Sequence, residues 1–145
     1  MVIEFFKKQE KFDTEAVKPG VYIVKLGVTG DRDSMKPLYI GESYSMVSRC
    51  GRHLYELYKD PSYFGLQPQH ITNDSLCIVF EVYEELEKET AGMDRTARDI
   101  LLKGRELKAL QQIDEPTLTQ TRTSDHVTRD RSKRVEQFIT GLMNK

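Results

Sequence analysis

Two short apolar segments separated by a polar stretch place the strongest constraint on the fold. The segments "GVYIVKLG" (residues 20–27) and "PLYIGE" (residues 37–42) are rich in β-branched and aromatic residues, which are typical of strands. The intervening "VTGDRDSMK" is polar and carries Gly30 and Asp31 near its centre, as hairpin loops do. The sequence therefore predicts an antiparallel hairpin over residues 20–42.

Three helices and one further strand are predicted beyond the hairpin. Residues 45–59 have helical periodicity, whereas "SLCIVFEVYEEL" (residues 75–86) is apolar enough for the centre of a sheet. A long helix over about residues 93–113 follows, and residues 135–142 repeat the apolar spacing of a final amphipathic helix. The predicted class is α/β of the α+β type, with a small three-stranded antiparallel sheet flanked by helices.

The ends of the chain are less strongly patterned. Residues 1–17 are interpreted as an N-terminal extension with a short helix in which Phe5, Phe6 and Phe12 are partly buried. Residues 121–145 combine a basic segment with the final amphipathic helix. The whole chain is therefore expected to form one domain with these two additions.

Length and composition fit a single soluble domain. The 145 residues are 38% hydrophobic and 31% charged, which is typical of a globular chain. The first apolar run is interrupted by Glu4 and is too short for a signal peptide or a membrane span, so we expect a cytoplasmic protein without a membrane partner. Cys50 and Cys77 lack metal-site spacing and are expected to be buried apolar groups.

Charge is distributed unevenly along the chain. With 22 basic and 23 acidic residues, the formal net charge is −1, so contact with nucleic acid requires a local basic patch. Residues 121–134 are the candidate, because five basic residues there face two acidic ones. The candidate DNA-binding residues are Arg122, Arg129, Arg131, Lys133 and Arg134. A solvated helix face is the alternative explanation of this run.

Polar residues at fixed spacing accompany the two hairpin strands. Tyr22 and Tyr39 lie in the tripeptides "GVY" and "YIG", Arg49 follows Tyr39 by ten residues, and His53 stands four residues later. This combination resembles the GIY-YIG nuclease family over about residues 18–120. "KPGVYIVK" is similar to the nuclease domain of the bacterial excision-repair incision subunit, and the Arg49 and His53 pair is similar to homing endonucleases and some restriction enzymes of that family.

The expected geometry follows from strand and helix periodicity. Tyr22 and Tyr39 must share one face of paired strands to reach a common site. Arg49 and His53 stand about 40° apart on the predicted helix and lean toward the sheet. A guanidinium there can hold two phosphate oxygens and stabilise the charge of a pentavalent transition state. The alternative is that the tyrosines are ordinary packing residues and Arg49 is a surface side chain.

Glu106 interrupts an apolar stripe of the long helix. The stripe runs Leu102, Glu106, Ala109 and Ile113. A buried carboxylate costs several kcal/mol unless a cation or hydrogen bonds compensate it, so a metal ion is a reasonable partner. Pairing with Arg105 or Lys103 is the alternative, and the nearest rival carboxylate, that of Glu115, lies in a loop.

The resemblance implies further assignments. It implies a metal-dependent endonuclease that cuts DNA to 5′-phosphate and 3′-hydroxyl ends, with Mg²⁺ or Mn²⁺ on Glu106 and a water activated by Tyr22 or Tyr39. Lys25 and Gly41 are expected near the phosphate, the glycine being otherwise a bulge or turn residue. Thr119 or Gln120 stands where the family usually has an asparagine. A homodimer is possible but is not indicated by the sequence.

Two other classes of protein compete with this interpretation. The first is a noncatalytic nucleic-acid-binding or protein-binding module on the same fold, which an exposed Glu106 would favour. The second is an unrelated interaction domain, which tyrosines on opposite faces would favour. The aromatic run over residues 53–65 can stack on unpaired bases, although helix packing and loop anchoring explain it more simply.

Neutralising Arg129, Arg131 and Arg134 together is expected to weaken nonspecific DNA binding. Each phosphate contact releases a counterion, so the slope of log affinity against log salt concentration should fall by about 2 to 3 units. The measurement is a salt titration of DNA binding in a catalytically inactive background. An unchanged slope would assign the basic segment to a solvated helix face.

Overall fold

A mixed sheet of four strands forms the centre of the protein. In a computed structural model, which describes residues 1–124 and 126–144, the strands in chain order are β1 (Val2–Phe5), β2 (Lys7–Lys8), β3 (Lys11–Phe12), β4 (Gly20–Val28), β5 (Lys36–Ser43) and β6 (Leu76–Glu85). The spatial order of the main sheet is β1-β6-β4-β5, and β2 and β3 form a separate ribbon. β4 is antiparallel to both of its neighbours, whereas β1 runs parallel to β6.

The helices lie on both faces of the sheet. They are α1 (Met46–Lys59), α2 (Pro68–Ile71), α3 (Glu87–Thr90), α4 (Arg95–Gln112) and α5 (Arg131–Met143), with 3-10 turns at Thr14–Val17, Arg32–Ser34 and Pro61–Phe64. The hairpin, β6 and the three longer helices confirm the predicted elements. No helix within the described residues has both the length and the apolar content needed to cross a bilayer. Asp125, in the basic segment, and Lys145 lie outside the described residues.

The N-terminal expectation was wrong, and so was the number of strands. Residues 2–5 form β1, not a helix, and their parallel pairing with β6 adds a fourth strand. Phe5 and Phe6 pack against Phe80, with ring centroids 5.2 and 6.4 Å away, whereas Phe12 stays exposed. Four residues carry too little periodicity to separate strand from helix, and the partner that decides the outcome lies more than 70 residues away.

Strand alternation divides the interior into two apolar cores. Tyr22, Val24 and Leu26 of β4 point to one face, where α1 and α5 cover them. Val21 and Ile23 point to the other face and contact residues of α4. Both predicted buried cysteines are free thiols, and both are buried. Burial of these two faces supplies the apolar stabilisation and fixes the register of β4.

The outer edge of β5 is closed by the segment from Thr117 to Gln120. The Gln120 side chain accepts a hydrogen bond from the Ile40 amide and donates one to the Ile40 carbonyl, each at 2.9 Å. Thr119 donates its hydroxyl to the Leu38 carbonyl at 2.6 Å. Both side chains are buried, so this segment takes the place of a fifth strand along the open edge.

Gln120→Ala is expected to destabilise the fold by about 2 to 4 kcal/mol, because two buried backbone groups of Ile40 lose their partners. Urea denaturation at neutral pH measures the effect. Gln112→Ala, at an exposed position of α4, is the matched control and should change stability by less than about 0.5 kcal/mol. Equal stabilities of the two variants would contradict the edge-closing role of Gln120.

Candidate functional site

Tyr22 and Tyr39 share one face of the β4–β5 hairpin, as a common site requires. Tyr22 stands opposite Gly41, and Tyr39 stands opposite Val24. The ring centroids of the two tyrosines are 6.3 Å apart. The hairpin therefore places two phenols side by side on the face that α1 covers.

Gly41 provides the space that the Tyr22 ring occupies. A Cβ atom at position 41 would lie 2.5 Å from Cζ of Tyr22 and closer still to its hydroxyl oxygen. The register irregularity between β4 and β5 falls at Val24 and Lys25, so Gly41 is neither a bulge nor a turn residue. The glycine is explained by the close approach of a side chain, and its expected contact with phosphate stays a prediction.

His53 links the two tyrosines of the hairpin to a third one. From the buried side of α1, its Nε2 atom lies 2.5 Å from the Tyr22 hydroxyl, and its Nδ1 atom lies 2.8 Å from the Tyr63 hydroxyl. Its ring also contacts those of Tyr39 and Phe64, at centroid distances of 5.3 and 5.6 Å. These contacts form a hydrogen-bonded row of phenol, imidazole and phenol.

The His53 imidazole is neutral near pH 7. Burial lowers its pKa from the ordinary value of 6.5 to about 4, and the positive charge of Arg49 contributes to the decrease. A neutral imidazole donates through one nitrogen and accepts through the other, so one tyrosine hydroxyl donates to it and the other accepts from it. His53 therefore acts here as a hydrogen-bonding relay, and it lacks the positive charge that would attract phosphate.

Tyr22 and Tyr39 differ in their access to solvent. Tyr22 is 1% exposed, and burial raises its pKa well above the ordinary value of 10.0. The charge of an ionised Tyr39 is the next largest contribution to this increase. Tyr39 is half-buried, so it is the phenol of this pair that a bound molecule can reach.

Arg49 and Glu106 come from helices on opposite faces of the sheet. Arg49 lies on the exposed side of α1, one turn before His53. Glu106 is only 4% exposed and lies on the inner side of α4, which packs over β5 and β4. Besides burial, the charge of Glu106 raises the pKa of Tyr22 and that of Arg49 lowers it, so both groups act electrostatically on this hydroxyl.

Tyr22, Tyr39 and His53 thus lie together on the face that α1 covers, and Arg49 is on the outer side of the same helix. Glu106 belongs to α4, which contacts the opposite, Val21 and Ile23 face of the sheet, so this packing does not bring it beside the tyrosines. The convergence of all five residues on one site, and their catalytic roles, stay predictions.

Glu106 is buried, so the structure lacks the exposed carboxylate that would favour a noncatalytic binding module. The rings of Tyr22 and Tyr39 are neighbours, so these tyrosines do not lie on the opposite faces that would favour an unrelated interaction domain.

Lys25 was wrongly expected beside the tyrosines. It lies three residues after Tyr22 on a regular strand, so its side chain points to the opposite face of the sheet. There its Nζ atom forms an ion pair with Glu81 at 3.0 Å. Strand alternation alone predicts this placement, and the family resemblance had overridden it.

Three residues of the basic segment have structural partners. Arg122 donates to the carbonyls of Gln111, Ile113 and Asp114 at the end of α4, at 3.3, 2.6 and 2.9 Å. Arg131 donates to the Ser62 carbonyl at 3.2 Å, and Arg134 pairs with Asp130 at 3.1 Å. The remaining two, Arg129 and Lys133, are exposed. Because Ser62 adjoins Tyr63, the start of α5 borders the candidate site.

Tyr63 was not identified from the sequence as a site residue. It lies in a 3-10 turn ten residues after His53, within the aromatic run over residues 53–65. The signal available was the aromatic run itself, which was attributed to packing. Only the return of the chain at Asp60 and Pro61 brings the Tyr63 hydroxyl to His53 Nδ1.

The donor set is compatible with a magnesium ion that is held mainly by substrate and water. No group of three or more His, Cys, Asp or Glu side chains that could hold a metal occurs in residues 1–124 and 126–144. Mg²⁺ commonly binds through one or two carboxylates, with substrate phosphates and water as its other ligands. Glu106, a single buried carboxylate, fits that pattern, whereas a cage made wholly of protein ligands does not.

Comparison with known proteins identifies no relative of this chain. No protein-family model matches it, and neither a curated protein nor a solved structure is significantly similar to it.

Acidification is expected to destabilise the protein through His53. Because its folded-state pKa of about 4 lies below the ordinary value of 6.5, the unfolded state gains a proton first as the pH falls. Stability should therefore decrease by about 3 kcal/mol between pH 6.5 and pH 4 on account of this residue.

Urea denaturation across this pH range, on the wild type and His53→Gln, measures the contribution. The His53→Gln variant should be less stable at pH 7 but should show a shallower loss on acidification. His126→Gln, at an exposed position, is the control and should keep the wild-type pH dependence. Identical acid sensitivity of the wild type and His53→Gln would contradict a buried neutral imidazole.

Proposed function

We propose that this protein is a metal-dependent endonuclease of the GIY-YIG type, which hydrolyses DNA phosphodiester bonds to 5′-phosphate and 3′-hydroxyl ends. The observation that carries the proposal is the hydrogen-bonded row of Tyr22, His53 and Tyr63 beside the accessible Tyr39. Arg49 lies one helical turn before His53, on the exposed side of α1. An imidazole hydrogen-bonded between two phenols, with a cation one turn away on the same helix, supports a functional site.

Activation of the attacking water and binding of the phosphate fall to different side chains in this proposal. Tyr39 orients the attacking water and, as the phenolate left when its own proton passes to solvent, receives a proton from that water, because the Tyr22 hydroxyl is buried and engaged with His53. Tyr22 and His53 hold the neighbouring ring in place. The Arg49 guanidinium binds nonbridging phosphate oxygens and stabilises the charge that develops on them.

Glu106 is the residue that would hold Mg²⁺ or Mn²⁺. When bound, such an ion supplies charge neutralisation at the leaving 3′-oxygen. The apolar residues of α4 on either side of Glu106 pack against Val21, Ile23 and Ile40 and exclude water from this carboxyl group.

The exposed face of α1 supports nucleic acid as the substrate class. Tyr55 is 58% exposed, so helix packing does not explain this aromatic residue. The Arg52 guanidinium and the Lys59 ammonium lie 5.7 and 5.9 Å from its ring centroid. An accessible ring between two cations suits an unpaired base and its phosphates.

A noncatalytic binding module on the same fold stays the alternative if no divalent metal binds, and the burial of Glu106 bears on metal access. Glu106 is so deeply buried that a hydrated metal ion reaches it only if the surrounding side chains move. Titration of the protein with Mn²⁺ in the presence of an uncleavable DNA analogue separates the two functions, because a binding module would take up the DNA without the metal.

Glu106→Gln is expected to reduce DNA cleavage by at least about a thousandfold with the fold retained, because the amide keeps the size but loses the charge. Cleavage of plasmid and of single-stranded DNA, with and without Mg²⁺, is the measurement. Glu115→Gln is the matched control, since this carboxylate is exposed and pairs with Lys36 at 3.1 Å. Near wild-type cleavage by Glu106→Gln would refute the metal role.

A further inference from the structure

The outward face of α4 carries apolar residues that the fold does not bury. Within the helix they form a stripe of Ala97, Ile100, Gly104 and Leu107, and Met93 lies just before its N-terminus. Ile100 is 69% exposed, and Met93 and Leu107 are about two-fifths exposed at 39% and 40%. The sequence predicts this stripe as an apolar face, yet the sheet packs against the other side of the helix.

Gly104 is unexplained by the protein's own packing. It lies in the interior of an 18-residue helix, where glycine is less favourable than alanine. A Cβ atom at this position would meet nothing within 4 Å, so no neighbour in the same chain requires the glycine. Small residues on an exposed helix face allow the close approach of a second helix.

We infer that the stripe binds the same stripe of a second copy of this chain, with the two α4 helices antiparallel. Ile100 and Leu107 are seven residues apart, as are Ala97 and Gly104, which is the repeat of a coiled-coil seam. In the antiparallel alignment that places Ile100 against Gly104 of the second copy, Leu107 meets Ala97. Each large side chain then faces a small one, and the pairing repeats on both sides of a two-fold axis.

Charge supports a second copy as the occupant. The same alignment brings Asp94, at the start of the helix, next to Lys108 near the end of the partnering helix, and it does so twice. Leu101 lies at the axis on that side. Lys103 approaches its own equivalent on the other side, but its Nζ atom already lies 3.6 Å from a Glu42 carboxylate oxygen. Opposite charges therefore meet twice when two copies of this surface pair antiparallel, as an isologous dimer requires.

The size of the surface sets the expected affinity. The seam between Ala97 and Leu107 spans about three helical turns, which is small for a stable interface. We therefore expect a dissociation constant of about 10 to 100 μM, and a dimer that forms without a change of fold. This inference does not depend on nuclease activity.

Sedimentation equilibrium of the full chain at about 1 to 500 μM, a range that brackets the expected constant, is the test. The wild type should shift from monomer to dimer. Ile100→Glu should raise the dissociation constant by about 30-fold or more, the effect of a central interface residue. Tyr55→Glu, an equally polar change at an exposed aromatic residue on α1, is the control and should leave association unchanged.

The Gly104→Leu variant distinguishes specific helix–helix packing from nonspecific hydrophobic association. The larger side chain enlarges the apolar surface and points into open space in the monomer, so nonspecific association would strengthen. The proposed pair should weaken, because the leucine occupies the place of Ile100 from the second copy. Circular dichroism checks that each variant is folded. A monomeric wild type at the highest concentration, or tighter association of Gly104→Leu, would overturn the inference.

Discussion

The hydrogen bond between Tyr22 and His53 is the contact on which the arrangement of the candidate site depends. It joins the central strand β4 to α1 across 2.5 Å in a buried setting. A polar contact of this kind is costly to leave unmade, so it fixes the rotation of α1 relative to the sheet. Gly41 permits it by leaving room for the phenol, and Tyr63 completes it by pairing with the second imidazole nitrogen.

Fixing α1 in this way separates two side chains that are one turn apart in sequence. His53 faces inward and stays neutral because burial lowers its pKa, while Arg49 remains at the surface with its charge. A neutral hydrogen-bonding centre therefore lies directly beneath an exposed cation. For a protein whose formal net charge is −1, such local separation of charge matters more to an anionic ligand than the total does.

Sequence periodicity predicted the elements with long, regular patterns and failed where a distant partner decides the structure. The strand over residues 76–85 and the helix over residues 95–112 have enough apolar repeats to be recognised alone. β1 has four residues, and its parallel pairing with β6 is a long-range choice that local pattern does not encode.

The same limit applies to the candidate site: residues in a local sequence pattern were predicted, and residues placed by a distant turn of the chain were not. Motif spacing predicted that Tyr22, Tyr39 and His53 meet beside Arg49. The interrupted apolar stripe singled out Glu106 but did not reveal that α4 packs on the other face of the sheet. Tyr63 depends on how the chain turns after α1, which spacing does not reveal. Lys25 shows the opposite failure, since strand alternation already placed it on the other face of the sheet.

The closure of the β5 edge by Gln120 has a consequence for the order of folding. The two hydrogen bonds join residues 80 positions apart, so they form only after a long loop has been closed. Until then, the strand that carries Tyr39 exposes unpaired backbone groups to any other chain. During synthesis on the ribosome, this edge of β5 therefore stays open until residues beyond α4 have emerged.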